Sequence, residues 1–154
     1  LFMTASHVAH DCIIGNNVIL ANNASLGGHV TIGDFAILGG MSGVHQFVRI
    51  GEYAVIGGAT GVDNDVIPYG RVKGERAFLA GLNLVGLERQ GFSKDDIKLL
   101  QRAFGQLFSG EGTMEKRLQD VEKDFADNSL VMAIVRFARE KTRFPLCQPQ
   151  RKVA

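Results

Sequence analysis

The sequence predicts a parallel β-helix followed by a helical region, on three observations. An aliphatic residue returns at every sixth position without a missed slot: Val8, Ile14, Leu20, Leu26, Ile32, Leu38, Val44, Ile50, Ile56, Val62. That period fits neither an α-helix nor an isolated alternating strand, but it suits short flat strands meeting at corners. Four residues after each aliphatic slot comes a mostly small or β-branched side chain suited to a narrow interior, from Cys12, Val18 and Ala24 through to Ala54, Thr60 and Val66. Beyond Pro68-Tyr69-Gly70 the apolar spacing changes to three and four, the period of amphipathic helices.

Taken in order, Leu1 falls in the middle of a hexad, with Phe2 and Ser6 in inward slots. Solenoid ends need caps, so the expectation is the C-terminal part of a longer polypeptide whose earlier coils lie outside this sequence. The position after the aliphatic one is mostly small (Ala9, Gly15, Ala21, Gly27, Gly33, Gly39), as a tight corner requires. Pro68 removes a backbone donor where another strand would begin, so the repeats are expected to stop there. Residues 71–82 read as a basic loop or an irregular last coil. Asn83 to Arg89 then makes a short helix ending at Gly91. Ser93 caps a longer one, with Asp96 completing the capping box and Ile97, Leu100, Ala103, Phe104 and Leu107 on one face. Thr113 opens the next helix, with Met114, Leu118, Val121 and Phe125; Ser129 caps a third, with Leu130, Ile134 and Phe137. These faces read as core. The tail from Lys141, with two prolines, reads as loosely held. Two domains follow: residues 1–70, the β-helix, and 71–154, the helical domain.

The 154 residues are 45% hydrophobic and 21% charged, the composition of a soluble globular protein. No apolar run approaches a membrane span and no leader signature is present. Cys12 sits in an inward slot and Cys147 in the tail, which predicts reduced thiols and a cytoplasmic location. The net charge of +1 is unevenly spread: residues 1–70 carry Arg49 against five acids, while residues 71–154 carry sixteen basic residues against eleven acids. The second half is expected either to present a solvated helical surface or to attract anionic groups and acidic partners.

The hexad pattern resembles the hexapeptide-repeat transferases. That resemblance implies a left-handed, three-sided prism with eighteen residues per coil. In that register the polar residues sort onto three ridges. One carries Asn16, Asp34 and Glu52; a second Asn22, Gly40 and Gly58; the third His10, Gly28 and Gln46, flanked by Asp11 with His29 and by Gly27 with His45. Three of the four histidines meet on one ridge, and His7 precedes His10 by three. Imidazoles in such a cluster could serve acid–base catalysis, metal binding or hydrogen-bonded structure. The pair His7-x-x-His10 does not match the zinc pair of carbonic anhydrases built on the same prism, so no metal or other cofactor is expected, and general-base catalysis is the reading taken.

Larger blocks narrow the resemblance. His7-Val8-Ala9-His10-Asp11-Cys12, Gly28-His29-Val30, Val44-His45-Gln46-Phe47 and Gly86-Leu87-Glu88-Arg89-Gln90-Gly91-Phe92 resemble the UDP-N-acetylglucosamine 3-O-acyltransferases. The resemblance implies transfer of a 3-hydroxyacyl chain from acyl carrier protein to the sugar 3-hydroxyl. His10 would be the base, Asp11 its orienting partner and the Gly28 amide the oxyanion donor. His7, His29, His45 and Gln46 would hold sugar and acyl groups; Asn83 and Arg89 would contact the nucleotide. Gly58 and Arg76 would measure acyl length, with glycine leaving room for a long chain. Gln90, Val85 and Arg76 depart from the family pattern. A homotrimer with the active ridge between subunits is also implied, and neither a nucleic-acid partner nor a transmembrane segment is expected. The competing expectations are a sibling acting on an amino-sugar nucleotide and a non-catalytic scaffold, which would need neither His10 nor Gly28.

Overall fold

The computed structural model describes residues 1–150, and within them the chain forms two compact units, Leu1–Asn83 with the segment from Lys141, and Leu84–Glu140. The first unit is a three-sided parallel solenoid. Its walls are ten two-residue strands, one per hexad: β1 (His7–Val8), β2 (Ile13–Ile14), β3 (Ile19–Leu20), β4 (Ser25–Leu26), β5 (Thr31–Ile32), β6 (Ile37–Leu38), β7 (Gly43–Val44), β8 (Arg49–Ile50), β9 (Val55–Ile56) and β10 (Gly61–Val62). Every third strand pairs in parallel, giving sheets β1-β4-β7-β10 and β2-β5-β8 and a third that contains β3-β6-β9. Registers such as His7 with Ser25 and Ile14 with Ile32 are eighteen residues apart, the expected coil length.

Both predicted inward positions fill the interior. Leu20, Leu38, Ala24, Val30, Ala36, Val48, Ala54 and Val66 are fully buried; each large aliphatic contributes on the order of 2 kcal/mol on leaving water. Val8, Cys12 and Ile14, in the first coil, are only half-buried.

The corners turn at a different residue from the small one. The third residue after each aliphatic from Val8 to Ile56 takes a left-handed backbone conformation: Asp11 (φ 57), Asn17, Asn23, His29 (φ 59), Phe35, Met41, Phe47 (φ 66), Tyr53 and Ala59. Such a conformation costs on the order of 1 kcal/mol for an L-residue. It is held by coil-to-coil bonds, as from His29 N–H to the His10 carbonyl (3.0 Å) and from Phe47 N–H to the Gly28 carbonyl (3.0 Å). The small residues are needed for stacking: a Cβ on Gly33 would lie 2.5 Å from the Glu52 nitrogen of the next coil.

Of the two expectations for residues 71–82, a basic loop or an irregular last coil, the structure takes the second. They form β11 (Gly70–Lys73), which extends the third sheet parallel to β9, and β12 (Phe78–Leu82), which returns antiparallel to it. The wall continues past Pro68 because Val72 and Leu79 still enter the core. The solenoid therefore runs to Asn83, beyond the expected boundary at residue 70.

The tail also returns to this unit. Asp65 N–H donates to the Pro145 carbonyl (3.0 Å), Cys147 N–H to the Asp65 carbonyl (2.7 Å) and Leu79 N–H to the Gln148 carbonyl (2.9 Å). As far as Gln148, what was expected to be loose is held by these backbone bonds; residues 151–154 of the expected tail lie outside the described residues.

The second unit contains α1 (Leu84–Arg89), α2 (Lys94–Ser109), α3 (Met114–Asp124) and α4 (Ser129–Arg139). Ser93 and Thr113 cap α2 and α3 by accepting from the amides of Asp96 and Lys116. The cap of α4 is Asn128 rather than Ser129, since its side-chain oxygen reaches the Val131 amide. Ile97, Leu100, Ala103, Leu107, Leu118, Val121, Val131 and Ile134 form its core. Among the described residues no helix is long and apolar enough to cross a membrane.

Candidate active site

Stacking coils at one corner turns residues eighteen apart into a column. On the ridge after β1, β4 and β7 the left-handed positions are Asp11, His29 and Phe47, each preceded by His10, Gly28 and Gln46. His10 Nδ1 lies 2.8 Å from Asp11 Oδ2, and His29 Nε2 lies 3.8 Å from the same oxygen. The His10 and His29 rings meet edge to face with centroids 5.0 Å apart. His29 then stacks flat on Phe47 at 4.6 Å. The His10 side chain is 72% exposed, so the cluster faces solvent.

The hydrogen bond from His10, with the charge of His29 added to it, holds the Asp11 carboxyl below the usual carboxylate range. An ionised Asp11 accepts from Nδ1–H, which leaves Nε2 as the nitrogen free to take a proton.

Gly28 is buried, and its amide N–H has no acceptor among the described residues. Buried backbone donors are normally paired. A Cβ at this position would come within 2.7 Å of both Cε1 and Nε2 of His10, so only glycine lets the ring lie over this backbone. A ring nitrogen and an unused amide thus share one spot.

The other expected residues are distributed as follows. His45 lies one coil further along the ridge and does not touch His10 or His29; its Nδ1 is 3.1 Å from the Gln46 carbonyl, and its ring meets Phe144 edge-on at 5.5 Å. His7, in β1, and Gln46 are exposed. Asn83 lies on another ridge, donating from its side chain to the Tyr53 carbonyl (2.9 Å). Within one chain it is therefore not brought to His10, because Tyr53 follows β8 and not β7. Arg89 is exposed at the end of α1 in the second unit. Gly58, on the third ridge, has space: a Cβ there would meet nothing nearer than the Gly40 carbonyl at 3.3 Å. Arg76 is exposed in the turn between β11 and β12.

Four residues at this ridge escaped the sequence reading. Arg143 places its guanidinium carbon 3.7 Å from the Phe47 ring centroid, and Phe144 abuts His45. Thr142 and the fully buried Asp65 hold that segment in place. Of these four only Asp65 had a signal, standing eighteen residues after Phe47 in the column of Asp11 and His29.

His10, Asp11 and His29 also present one ligand atom each within 4.8 Å of one another, a donor set a divalent ion would accept. All three residues are exposed, and Asp11 is already engaged by His10.

Comparison with known proteins agrees with this geometry. The sequence profile of the family described as UDP N-acetylglucosamine O-acyltransferase, domain 2, matches residues 65–147, more than half of the chain. An acyl-(acyl-carrier-protein)–UDP-N-acetylglucosamine O-acyltransferase of Caulobacter vibrioides is 52% identical over 153 residues, covering 99% of this chain and 58% of that protein. Its counterpart in Paracoccus denitrificans is 59% identical over 110 residues, covering 71% and 42%. Among solved structures, the Arabidopsis UDP-N-acetylglucosamine acyltransferase superposes with a TM-score of 0.88 at 41% identity, covering 94% of this chain and 53% of that one. The Moraxella catarrhalis O-acyltransferase gives 0.90 at 36% identity, covering 95% and 56%. The chain spans little more than half the length of such relatives. The ridge and the matches lead to one assignment: this chain belongs to the UDP-N-acetylglucosamine O-acyltransferase family.

Proposed function

We propose that the polypeptide carrying this chain transfers a 3-hydroxyacyl group from acyl carrier protein to the 3-hydroxyl of UDP-N-acetylglucosamine, the first step of lipid A biosynthesis, in the cytoplasm. The observation that carries this reading is an Asp11-bound imidazole whose free nitrogen lies against the buried, unpaired amide of Gly28. In it, His10 Nε2 takes the proton of the sugar hydroxyl as the oxygen attacks the thioester carbonyl. The carbonyl oxygen becomes an oxyanion, which the Gly28 amide stabilises; one such donor is worth about 3 kcal/mol. Collapse breaks the carbon–sulfur bond, and the thiolate recovers the proton from His10. Asp11 fixes the tautomer throughout.

His7, His29, His45 and Gln46 line the ridge on either side and hold sugar and acyl groups. Asn83 and Arg89 serve the nucleotide, and a guanidinium suits a diphosphate. Because Asn83 stands on a different ridge, a homotrimer that sets one chain's ridge against its neighbour's completes the site. The basic excess of residues 71–154 suits an acidic carrier, so raised salt weakens docking. Gly58 leaves the groove floor open to a long acyl chain, with Arg76 bordering it.

The test assays the full-length polypeptide and its His10→Ala variant against a series of acyl carrier thioesters. Loss of a general base predicts a fall of about 10²–10⁴ in turnover. Near-normal turnover in the variant removes His10 from the mechanism, and preference for an amino-sugar nucleotide overturns the acceptor assignment.

A further inference from the structure

The ring column on the catalytic ridge ends in a cation that the acyl-transfer steps leave unused. The guanidinium carbon of Arg143 lies 3.7 Å from the Phe47 centroid. His29 stacks flat on Phe47 at 4.6 Å and so occupies one face of that ring; Arg143 covers the other. The column then reads Arg143, Phe47, His29, His10, four groups drawn from distant parts of the chain. Arg143 is exposed and has no hydrogen-bond or ion-pair partner among the described residues. A guanidinium stacks through its face and hydrogen-bonds through its edge, so the edge remains open to an acceptor.

The placement is built rather than incidental. Asp65 is fully buried and ion-paired with Arg49, whose Nε is 2.9 Å from Oδ2 and whose amide nitrogen is 2.9 Å from Oδ1. The Thr142 hydroxyl donates to the same Oδ2 at 2.9 Å. The Asp65 backbone binds Pro145 and Cys147 on the other side of Arg143. A carboxylate inside the solenoid thus pins the residues flanking Arg143, and the short loop between them places its cation over Phe47.

We infer that Arg143 binds a phosphate group of a substrate seated at the His10–His29 ridge, with Asp65 and Thr142 as its positioning residues. This rests on the acyltransferase reading. Two phosphates are available, the diphosphate of the sugar nucleotide and the phosphodiester of the carrier's pantetheine arm. Both present the planar fork of oxygens that a guanidinium edge matches. Steps of 3.7–5.0 Å put the cation further from His10 than one sugar ring is wide, where an attached phosphate falls rather than the reacting hydroxyl.

The experiment compares the full-length polypeptide with its Arg143→Ala, Arg143→Lys and Thr142→Val variants. UDP-N-acetylglucosamine is the acceptor, and the two donors differ by one group, an acyl thioester of phosphopantetheine and the same thioester of pantetheine. Arg143→Ala is expected to raise one KM about 10- to 100-fold, the loss of charge-assisted hydrogen bonds, with kcat within about threefold. If the diphosphate is the ligand, the rise falls on the nucleotide with both donors. If the pantetheine phosphate is, it falls on the phosphorylated donor and disappears with the other. Lysine restores part of the loss, and Thr142→Val gives a smaller rise in the same constant. Unchanged KM values for both substrates in Arg143→Ala overturn the inference, as does a rise that lysine leaves untouched and that follows a fall in melting temperature. Should the wild type show no turnover with acyl carrier thioesters as well as with these donors, the acyltransfer reading falls; calorimetric titration of UDP and of phosphopantetheine into wild type and Arg143→Ala then decides Arg143 separately, with equal affinities for both probes counting against it.

Discussion

Two ridges of the solenoid carry the same ring stack and differ in what surrounds it. On the ridge after β8, Phe35 and Tyr53 occupy the left-handed positions and stack at 4.8 Å with planes 4° apart. On the ridge after β7, His29 and Phe47 do the same at 4.6 Å and 5°. The first stack continues to Tyr69, which is buried and whose hydroxyl donates to Glu52 at 2.8 Å, and Asn83 closes over the Tyr53 carbonyl. Burial, reinforced by the charges of Glu52 and Asp34, keeps the Tyr53 phenol above its usual range, in its neutral form. The second continues to an exposed His10–Asp11 pair over an unpaired amide. The backbone supplies identical columns. Phenols and amides seal one, while the other ends in exposed imidazoles and a carboxylate, the groups a site needs.

Breaking the comparison at equivalent positions gives the largest contrast. His29→Ala is expected to lower kcat/KM by about 10- to 100-fold through lost charged hydrogen bonds to substrate, whereas Phe35→Ala costs about 2 kcal/mol of stability with kcat/KM little changed. Steady-state kinetics beside thermal melts separate the two. If His29→Ala acts only on the melt, both ridges are supports.

Glycines at matching turn positions offer the next test. Gly28→Ala drives a methyl against the His10 ring and is expected to cut kcat at least tenfold through the misplaced base. Gly40→Ala, whose Cβ meets only the Asn22 carbonyl at 3.3 Å, is expected to leave kcat within about twofold by the same positional argument. Equal effects would mean that Gly28 serves packing alone.

Proton occupancy sharpens the difference further. Because the folded state depresses the Asp11 pKa, its contact with His10 is present above the carboxyl's ordinary pKa and is lost as pH falls through the lowered one. An NMR titration should place Asp11 below the usual carboxylate range and move it upward in His10→Ala. An unmoved titration would separate the two side chains.

The smallest effect concerns the tail. Burial pushes the Cys147 thiol up to about 11, and its sulfur lies 3.2 Å from the Ala77 carbonyl. Alkylation by iodoacetamide at pH 8 should label it only on unfolding. Rapid labelling of the native protein would show that the tail leaves the solenoid.

Much of this was legible in order along the chain. The ten aliphatic slots were enough to infer the solenoid, since a six-residue repeat of buried side chains has few other ways to lose contact with water. Given a coil of eighteen, His10 with Gly28, and Asp11 with His29, fell onto one ridge, and the helix caps at Ser93 and Thr113 followed from local hydrogen-bonding chemistry. The continuation of the wall through β11 and β12 was hidden because Pro68 reads as a stop, while Val72 and Leu79 carry no hexad signal. Asn128 was missed as a cap because Ser129 beside it has the same chemistry.

By itself, then, the sequence determined the hexad walls as far as Val62, because periodic burial is a property of spacing; which side chains share a ridge followed once the family resemblance supplied three walls per coil. Tertiary structure alone decided that Asp65 meets Thr142 across 77 residues, that Arg143 lands on Phe47, and that the Gly28 amide stays unpaired beneath an imidazole. Contacts of that kind depend on one carboxylate and one ring meeting from distant segments. No repeat or period records them.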